Sequence, residues 1–250
     1  MPTTGFRIAA AQSTSIAGDI SENVRRHVAF VRKAGEHHAK VVVFPELSLT
    51  GYEPTLAMKT AIHADDSVLL PLQNVSNELG MMVIAGCPIR TTVGKPFLGA
   101  FILRPEQPIA VYRKRFVHPG EEEYFQASDD VVVCSFREAE VGIAICADIH
   151  NPLQPEDTRK LGADIYAAGV AITPNGIGDA ESNLSAIAHR YGMLAVMANY
   201  ASSTGDYPIA GRSAIWNEQG QIVAQADGTG ECLVIAEGTP DGWCGSVERV

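Results

Sequence analysis

Val141-Gly142-Ile143-Ala144-Ile145-Cys146-Ala147-Asp148 joins an apolar, β-branched run to a thiol at a turn. Runs of this kind, without alternation of polar and apolar residues, form strands that are covered on both faces. In α/β proteins the reactive side chains commonly lie where such strands end. The segment therefore predicts a layered α/β protein, and Cys146 is its candidate nucleophile. A cysteine in an apolar strand more often only packs in a core, so this assignment needs further residues.

Two other strand-like runs also end in reactive side chains. Val41-Val42-Val43-Phe44 is followed by Pro45-Glu46, and Ile109-Ala110-Val111-Tyr112 is followed by Arg113-Lys114. A thiolate divides amide hydrolysis into two smaller barriers through a thioester, and a carboxylate can accept the thiol proton. A nearby cation stabilises the oxyanion, and the backbone N–H of Ala147 is a candidate second donor. The three strand ends together indicate a covalent acyl-transfer enzyme.

The rest of the chain alternates strand and helix patterns, and later contains antiparallel hairpins. Because several strands are apolar on both faces, we expect two sheets packed face to face, each covered outside by helices. No linker divides the chain, so residues 1–250 are interpreted as one domain. The predicted helices are 19–38, with Asp19 or Ser21 as N-cap, 67–79, stopped by Gly80, 154–161 and 180–191. The predicted strands are 6–12, 40–44, 81–88, 99–103, 109–112, 131–136, 141–145, 164–169, 194–199, 213–216, 221–226 and, as the last one, 231–236.

Composition narrows the function classes. With 250 residues, of which 46% are hydrophobic, the chain has enough apolar material for one well-filled core. The net charge of −10 and the absence of a dense Lys/Arg patch argue against nucleic acid and anionic membranes as partners. No apolar stretch is long enough to span a membrane, and the first residues lack the pattern of a signal peptide. Five cysteines without a CxxC spacing indicate reduced thiols and a cytoplasmic location.

Three short blocks resemble the signature blocks of the nitrilase, or carbon–nitrogen hydrolase, superfamily. They are Pro45-Glu46 with Gly51-Tyr52, Tyr112-Arg113-Lys114, and Cys146-Ala147-Asp148. The resemblance extends from Ile8 to about Ile235. It implies that Glu46 is the general base, that Lys114 stabilises the oxyanion and that Cys146 is the nucleophile. A supporting glutamate is also implied after the lysine, and here it is Glu121 or its neighbour Glu122.

The resemblance further implies a four-layer αββα sandwich that assembles through its helices into a homodimer or a larger even oligomer. It implies neither a metal ion nor an organic cofactor. The partner that it implies for the protein is a small-molecule amide substrate. This chain departs from the family pattern at Phe116, a position where many members have histidine. Candidate residues of the substrate pocket are Tyr52 and Ala147, together with Pro174 and Asn175 beyond the next strand.

The substrate class is predicted from the residues that follow the nucleophile. Nitrilases of this superfamily are generally longer and carry Trp-Glu there, whereas this chain has Ala147-Asp148, which favours a small amide or carbamoyl compound and release of ammonia. Nitrile hydrolysis by the same residues remains an alternative, as does a non-catalytic binding protein. Two rival enzymes are a Cys–His hydrolase that uses His150 or His189, and a metal hydrolase. The latter would use Cys146, Asp148 and His150 on one face of an extended segment.

Overall fold

The computed structural model describes residues 4–250, within which the chain forms two β-sheets flanked by helices. The strands are β1 (Arg7–Gln12), β2 (Val41–Val43), β3 (Met82–Ile89), β4 (Phe97–Leu103), β5 (Ala110–Arg113), β6 (Val133–Phe136), β7 (Ala139–Ile145), β8 (Ile165–Gly169), β9 (Leu194–Ala198), β10 (Ala214–Trp216), β11 (Ile222–Gln225), β12 (Cys232–Thr239) and β13 (Gly242–Arg249). The α-helices are α1 (Ile20–Glu36), α2 (Ala57–Thr60), α3 (Leu70–Leu79), α4 (Leu153–Lys160) and α5 (Ile177–Tyr191). Single 3₁₀ turns lie at Pro54–Leu56, Ser67–Leu69, Glu121–Glu123 and Cys146–His150.

The two sheets pack face to face and share the central core. The first sheet has the order β13-β12-β1-β2-β3-β4-β5, and the second has the order β11-β10-β9-β8-β7-β6. Strands β1, β2 and β3 are parallel in the first sheet, and β7, β8 and β9 are parallel in the second. Their buried inner side chains form one cluster, which includes Ile8, Val43, Ile143, Ile165 and Val196. Burial of this apolar surface is the main force that holds the sheets together.

Helices cover the outer face of each sheet. The apolar stripe of α1, which includes Val24, Phe30 and Val31, packs with α3 residues on the first sheet. Helix α5 places Leu184 and Ile187 on the second sheet, beside α4. The predicted four-layer αββα sandwich is therefore confirmed. Within residues 4–250, none of the helices combines the length and the apolar character that crossing a bilayer requires.

Local signals set the ends of the outer helices. The side chain of Asp19 accepts a hydrogen bond from the backbone N–H of Glu22, so Asp19 is the N-cap of α1. Helix α3 ends at Gly80, which has a left-handed conformation with φ of 60°. Its predicted first turn is a 3₁₀ turn at Ser67–Leu69, and the α-helix proper begins beside Pro71, which has no N–H to donate.

The prediction that 231–236 is the last strand is wrong. Strand β12 continues to Thr239, turns, and pairs antiparallel with β13 along its whole length, from Cys232 opposite Arg249 to Thr239 opposite Gly242. Strand β13 lies at the edge of the first sheet, and most of its residues are exposed. Its sequence therefore lacks the apolar pattern of a buried strand, and only its pairing with β12 makes it a strand.

Three strand ends converge on one region between the sheets. Glu46 follows β2 and Lys114 follows β5, both in the first sheet, whereas Cys146 follows β7 in the second sheet. Because the sheets face each other, these three side chains approach from opposite layers. The site therefore exists only where the two sheets meet.

Candidate active site

The segment that carries Glu46 passes between the two sheets at two glycines. A Cβ atom at Gly86 of β3 would lie 2.3 Å from the backbone N of Leu47, and one at Gly169 of β8 would lie 2.5 Å from the backbone O of Phe44. Any larger residue at either glycine would push this segment away. Leu47 itself has φ of 53°, a conformation that is uncommon outside glycine. The surrounding packing thus fixes the backbone beside Glu46.

A buried histidine supports the same segment from the side of α1. Nδ1 of His27 lies 2.7 Å from the carbonyl oxygen of Asn23, which can only accept, so Nδ1 carries the proton. Nε2 therefore accepts from the hydroxyl of Ser48 at 2.9 Å, and this hydroxyl accepts the N–H of Gly86 at 3.2 Å. Burial lowers the pKa of His27 to about 4, and the ring is therefore neutral at pH 7.

Lys114 lies fully buried between two carboxylates. Its Nζ donates to Oε1 of Glu46 at 2.7 Å and to Oε2 and Oε1 of Glu121 at 2.7 and 3.0 Å. Glu121 also accepts from the hydroxyl of Tyr52 at 2.8 Å and from the backbone N–H of His118 at 2.7 Å. Burial, the largest single influence, lowers the pKa of Lys114. The combined negative charges of the site outweigh it and raise that pKa above its ordinary value.

The structure distinguishes between the two candidates for the supporting glutamate. Glu121 is buried and forms the ion pair with Lys114. Glu122 is exposed, and its carboxylate accepts the backbone N–H of Gly120. Of these two residues, only Glu121 occupies the place that the sequence pattern implies.

Cys146 lies at a sharp turn that Asp148 holds in place. The turn gives Cys146 a positive φ of 42°. Asp148 accepts the N–H of Ile145 at 2.8 Å, the N–H of Phe116 at 2.9 Å and the hydroxyl of Tyr112 at 2.6 Å. Tyr112 and Phe116 flank Lys114 in the sequence, so this one carboxylate ties the cysteine to the lysine strand. The hydrogen bonds to Asp148 can therefore offset the strain of the left-handed backbone conformation at Cys146.

The surroundings of Cys146 favour the neutral form of its thiol. Burial raises the pKa of Cys146, the Glu46 carboxylate adds to this effect, and Lys114 opposes it. Burial also raises the pKa of Glu46, to about 7, against the charge of Lys114. Oε2 of Glu46 is buried and accepts no hydrogen bond from residues 4–250. The thiol is close enough to lower the pKa of Glu46, so this oxygen is the available acceptor for the thiol proton.

A cavity of about 390 Å³ leads to Cys146. Tyr52 forms part of its wall, as the sequence predicts, and Tyr207 packs edge-on against Tyr52 with ring centroids 5.3 Å apart. The other lining residues come mainly from the loops after the strands: Pro54, His118, Pro119, Gly120, Glu121, Tyr124, His150, Ala171, Ile172, Thr173, Gly176 and Asp179.

Three of the predicted pocket residues do not line this cavity. Pro174 and Asn175 are exposed, because Gly176 N–H donates to the carbonyl of Thr173 at 3.0 Å and closes a turn. The two central residues of that turn project outward, and the flanking Thr173 and Gly176 line the cavity instead. Ala147 is half-buried in the 3₁₀ turn after the nucleophile. A strand-end pattern identifies the loop, but not which of its residues turn inward.

The turn after β7 fits neither the metal hydrolase nor the Cys–His hydrolase considered above. Cys146, Asp148 and His150 lie in a 3₁₀ turn rather than an extended segment, and Asp148 faces Tyr112. No group of three or more His, Cys, Asp or Glu side chains in residues 4–250 is arranged to hold a metal ion. Nδ1 of His150 lies 2.7 Å from the side-chain amide of Asn183, and burial lowers the pKa of His150. The carboxylate of Glu46, and not a histidine, thus lies beside the thiol.

A family model described as carbon-nitrogen hydrolase matches residues 7–243. Among curated proteins, the chain is similar to the glutamine-dependent NAD(+) synthetase of Thermotoga maritima, with 24% identity over 228 residues, 87% of this chain and 39% of that protein. The corresponding synthetase of Acinetobacter baylyi is 23% identical over 239 residues, 93% of this chain and 44% of that protein. The chain therefore spans about two fifths of the length of these relatives.

Solved structures share the fold. A mutant of the amidase from Nesterenkonia sp. AN1 in complex with butyramide has a TM-score of 0.86 and 20% identity, covering 95% of this chain and 92% of that one. A second mutant of this amidase, with acrylamide added at its active site cysteine, has a TM-score of 0.84 and 20% identity, covering 92% of both chains.

Proposed function

We propose, since this chain belongs to the carbon–nitrogen hydrolase family, that it hydrolyses a small amide or carbamoyl compound through a thioester on Cys146 and releases ammonia. The family acts on carbon–nitrogen bonds, and the finer assignment rests on one observation. The buried ammonium of Lys114 lies 2.7 Å from both Glu46 and Glu121, beside a thiol at the end of a cavity. A purely structural role would not need two carboxylates, an ammonium and a thiol together at an open cavity.

The first half of the reaction forms the thioester. As the sulfur of Cys146 attacks the amide carbon, its proton passes to Oε2 of Glu46, so that a neutral thiol can react without first becoming a free thiolate. Negative charge develops on the carbonyl oxygen, and the Lys114 ammonium stabilises it. Glu46 then gives the proton to the leaving nitrogen. The carbon–nitrogen bond breaks, and ammonia departs.

The second half regenerates the enzyme. A water molecule takes the place of ammonia, and Glu46 accepts one of its protons as the oxygen attacks the thioester carbon. The carbon–sulfur bond breaks, the sulfur recovers a proton from Glu46, and the carboxylic acid leaves. The overall balance is one amide and one water consumed, with one acid and one ammonia formed. Lys114 keeps its proton throughout, because its pKa lies above its ordinary value.

The relatives suggest which amides to try first. The structural neighbour is an amidase seen with butyramide, and the curated relatives are named glutamine-dependent. Ammonia release should therefore be measured with butyramide, glutamine, an N-carbamoyl amino acid, and nitriles matched to the amides in chain length. We expect hydrolysis of at least one amide or carbamoyl compound. A higher kcat/KM for the matched nitriles would replace this proposal by nitrile hydrolysis.

The variants for this experiment follow from the five free cysteines. Cys146→Ala should reduce ammonia release to background, whereas Cys244→Ser should leave it unchanged, because Cys244 is exposed on β13. The same exposure makes Cys244 the competing thiol for covalent labels. Acyl adducts should therefore be sought by mass spectrometry in the Cys244→Ser protein. Turnover without an adduct on Cys146 under rapid quenching, together with activity in Cys146→Ala, would refute the thioester mechanism.

We propose that the chain forms a homodimer, supported by a small groove between α4 and α5 and by the exposed side chains of Leu153 and Leu161 on and beside α4. We also propose a cytoplasmic location, which is compatible with the free thiols.

A further inference from the structure

The side chains that line the cavity carry an unequal set of charges. Two of them are acidic, Glu121 and Asp179, and two are histidines, His118 and His150. Neither lysine nor arginine is present among the lining residues. A substrate that carries a carboxylate away from its amide would therefore meet no fixed cationic side chain at the cavity wall.

The two acidic residues differ in what they contact. Glu121 is fully engaged, since it accepts from Lys114, Tyr52 and the backbone of His118. Asp179 is exposed in the first turn of α5 and forms no side-chain hydrogen bond or salt bridge within residues 4–250. Its carboxylate is the free negative charge of the cavity.

Two nearby effects oppose this charge, and neither cancels it. The amino end of α5 contributes roughly half a positive charge, whereas the Asp179 carboxylate contributes a full negative one. Asp179 raises the pKa of His150, but burial, the larger influence, lowers it and so favours the uncharged ring. Deeper in the site, the single ammonium of Lys114 faces both Glu46 and Glu121. Acidic side chains therefore outnumber lysines and arginines in and beside the cavity.

We propose that the preferred substrate carries an ammonium group at the end remote from its amide, and that Asp179 binds this group. The inference rests on the proposed amide hydrolysis and adds a charge class to it. A sphere of about 390 Å³ is about 9 Å across, so the cavity admits a short, unbranched chain between the two groups. Asp179 then selects the substrate, whereas Cys146 reacts with it.

Three amides of equal chain length test the charge class. Pentanamide is neutral, 5-aminopentanamide carries an ammonium, and the monoamide of glutaric acid carries a carboxylate. We expect kcat/KM to be highest for the ammonium compound, by about fivefold over the neutral amide, as for a partly solvated ion pair. The carboxylate compound should be the poorest of the three. This order should weaken as the salt concentration is raised.

Substitutions at Asp179 assign the preference to its charge. Asp179→Asn should bring the ratio of ammonium to neutral amide close to one, and Asp179→Glu should retain most of it. Asp241→Asn is the matched control, because Asp241 is exposed in the turn between β12 and β13, on an element that does not line the cavity. If Asp179 only stabilised the amino end of α5, Asp179→Asn would lower the melting temperature and leave the ratio unchanged, which would overturn the proposal.

Binding to the Cys146→Ala protein separates this proposal from the proposed reaction. Calorimetry with the three amides measures charge preference without turnover, and the same protein with Asp179→Asn is the comparison. Tighter binding of 5-aminopentanamide, lost with Asp179→Asn, supports the inference even if ammonia release fails. Turnover of pentanamide with equal binding of all three amides would leave the reaction standing and refute the role of Asp179.

Discussion

At the scale of single residues, the carboxyl of Glu46 has a pKa close to neutral pH. Burial raises its pKa to about 7, and burial also raises the pKa of Cys146 above its ordinary value. The raised pKa favours the protonated thiol, and the proposed mechanism then needs a deprotonated Glu46 to accept its proton. In the proposed mechanism, reactivity therefore depends on the charge state of the carboxylate rather than on ionisation of the thiol.

The pH dependence of activity should report this carboxylate. Below pH 7 Glu46 is increasingly protonated and cannot accept the thiol proton, so kcat/KM should rise with pH through an apparent pKa of about 7. The profile should be measured with a neutral amide that does not titrate in this range. Glu46→Gln should be inactive at every pH. A flat profile between about pH 5 and 8 in the unaltered protein would contradict the assignment of Glu46 as base.

Two buried tyrosines allow a matched test of the hydrogen-bond network around Cys146. The hydroxyl of Tyr112 donates to Asp148 and accepts from Gln154, whereas the hydroxyl of Tyr166 has no partner within residues 4–250. Tyr112→Phe should lower the free energy of unfolding by about 1–3 kcal/mol and slow ammonia release, and Tyr166→Phe should change neither by much. Urea denaturation at pH 7 measures both. Equal losses in the two variants would show that the Tyr112 hydroxyl has no special role.

At the scale of elements, α1 supports the segment that carries Glu46 through a neutral histidine. The pKa of His27 falls from an ordinary 6.5 to about 4 on folding, since burial disfavours the charged ring. Between these values the unfolded chain binds a proton that the folded chain does not, so the free energy of unfolding falls as pH decreases from about 6.5 to about 4. The full loss is about 3 kcal/mol.

Urea denaturation across this pH range tests the effect of His27. His27→Gln should remove this part of the acid dependence, because glutamine does not titrate, although it should also lower stability at pH 7. His63→Gln is the control, since His63 is exposed. If the acid dependence of His27→Gln matches that of the unaltered protein, another group must cause it.

Elements with a strong local signal could be predicted, and those that depend on pairing or loop direction could not. The β-branched run before Cys146 is a buried strand, and the thiol lies at its end. Strand β13 was missed because its exposed residues are stabilised by the β12 ladder and not by burial. Pro174 was expected in the pocket, but a turn directs it to solvent, and Asp179 lines the cavity through the placement of α5.

Two statements about the whole molecule stay predictions. One is that the chain forms a homodimer, and the other is that residues 1–250 form a single domain. Exposed Leu153 and Leu161 lie on the α4 side of the sandwich, and exposed Leu70 lies on the opposite helical layer. Light scattering at micromolar concentration should give twice the mass of the 26.7 kDa chain. The double substitution Leu153→Glu and Leu161→Glu should halve that mass, because dimer formation would bury two unpaired carboxylates from each chain. The single substitution Leu70→Glu should leave the mass unchanged. A monomeric mass for the unaltered protein would refute the dimer.

Cys146 and Glu46 follow strands of different sheets, which has a consequence for dividing the chain. A break near the exposed residue Asp129 leaves Glu46 and Lys114 on one fragment and Cys146 on the other. The second fragment also contains β12, whose neighbour β1 belongs to the first, so neither piece can complete the seven-stranded sheet alone. Fragments fused to two interacting proteins would therefore regain turnover only on reassembly, and ammonia would become a reporter of that interaction.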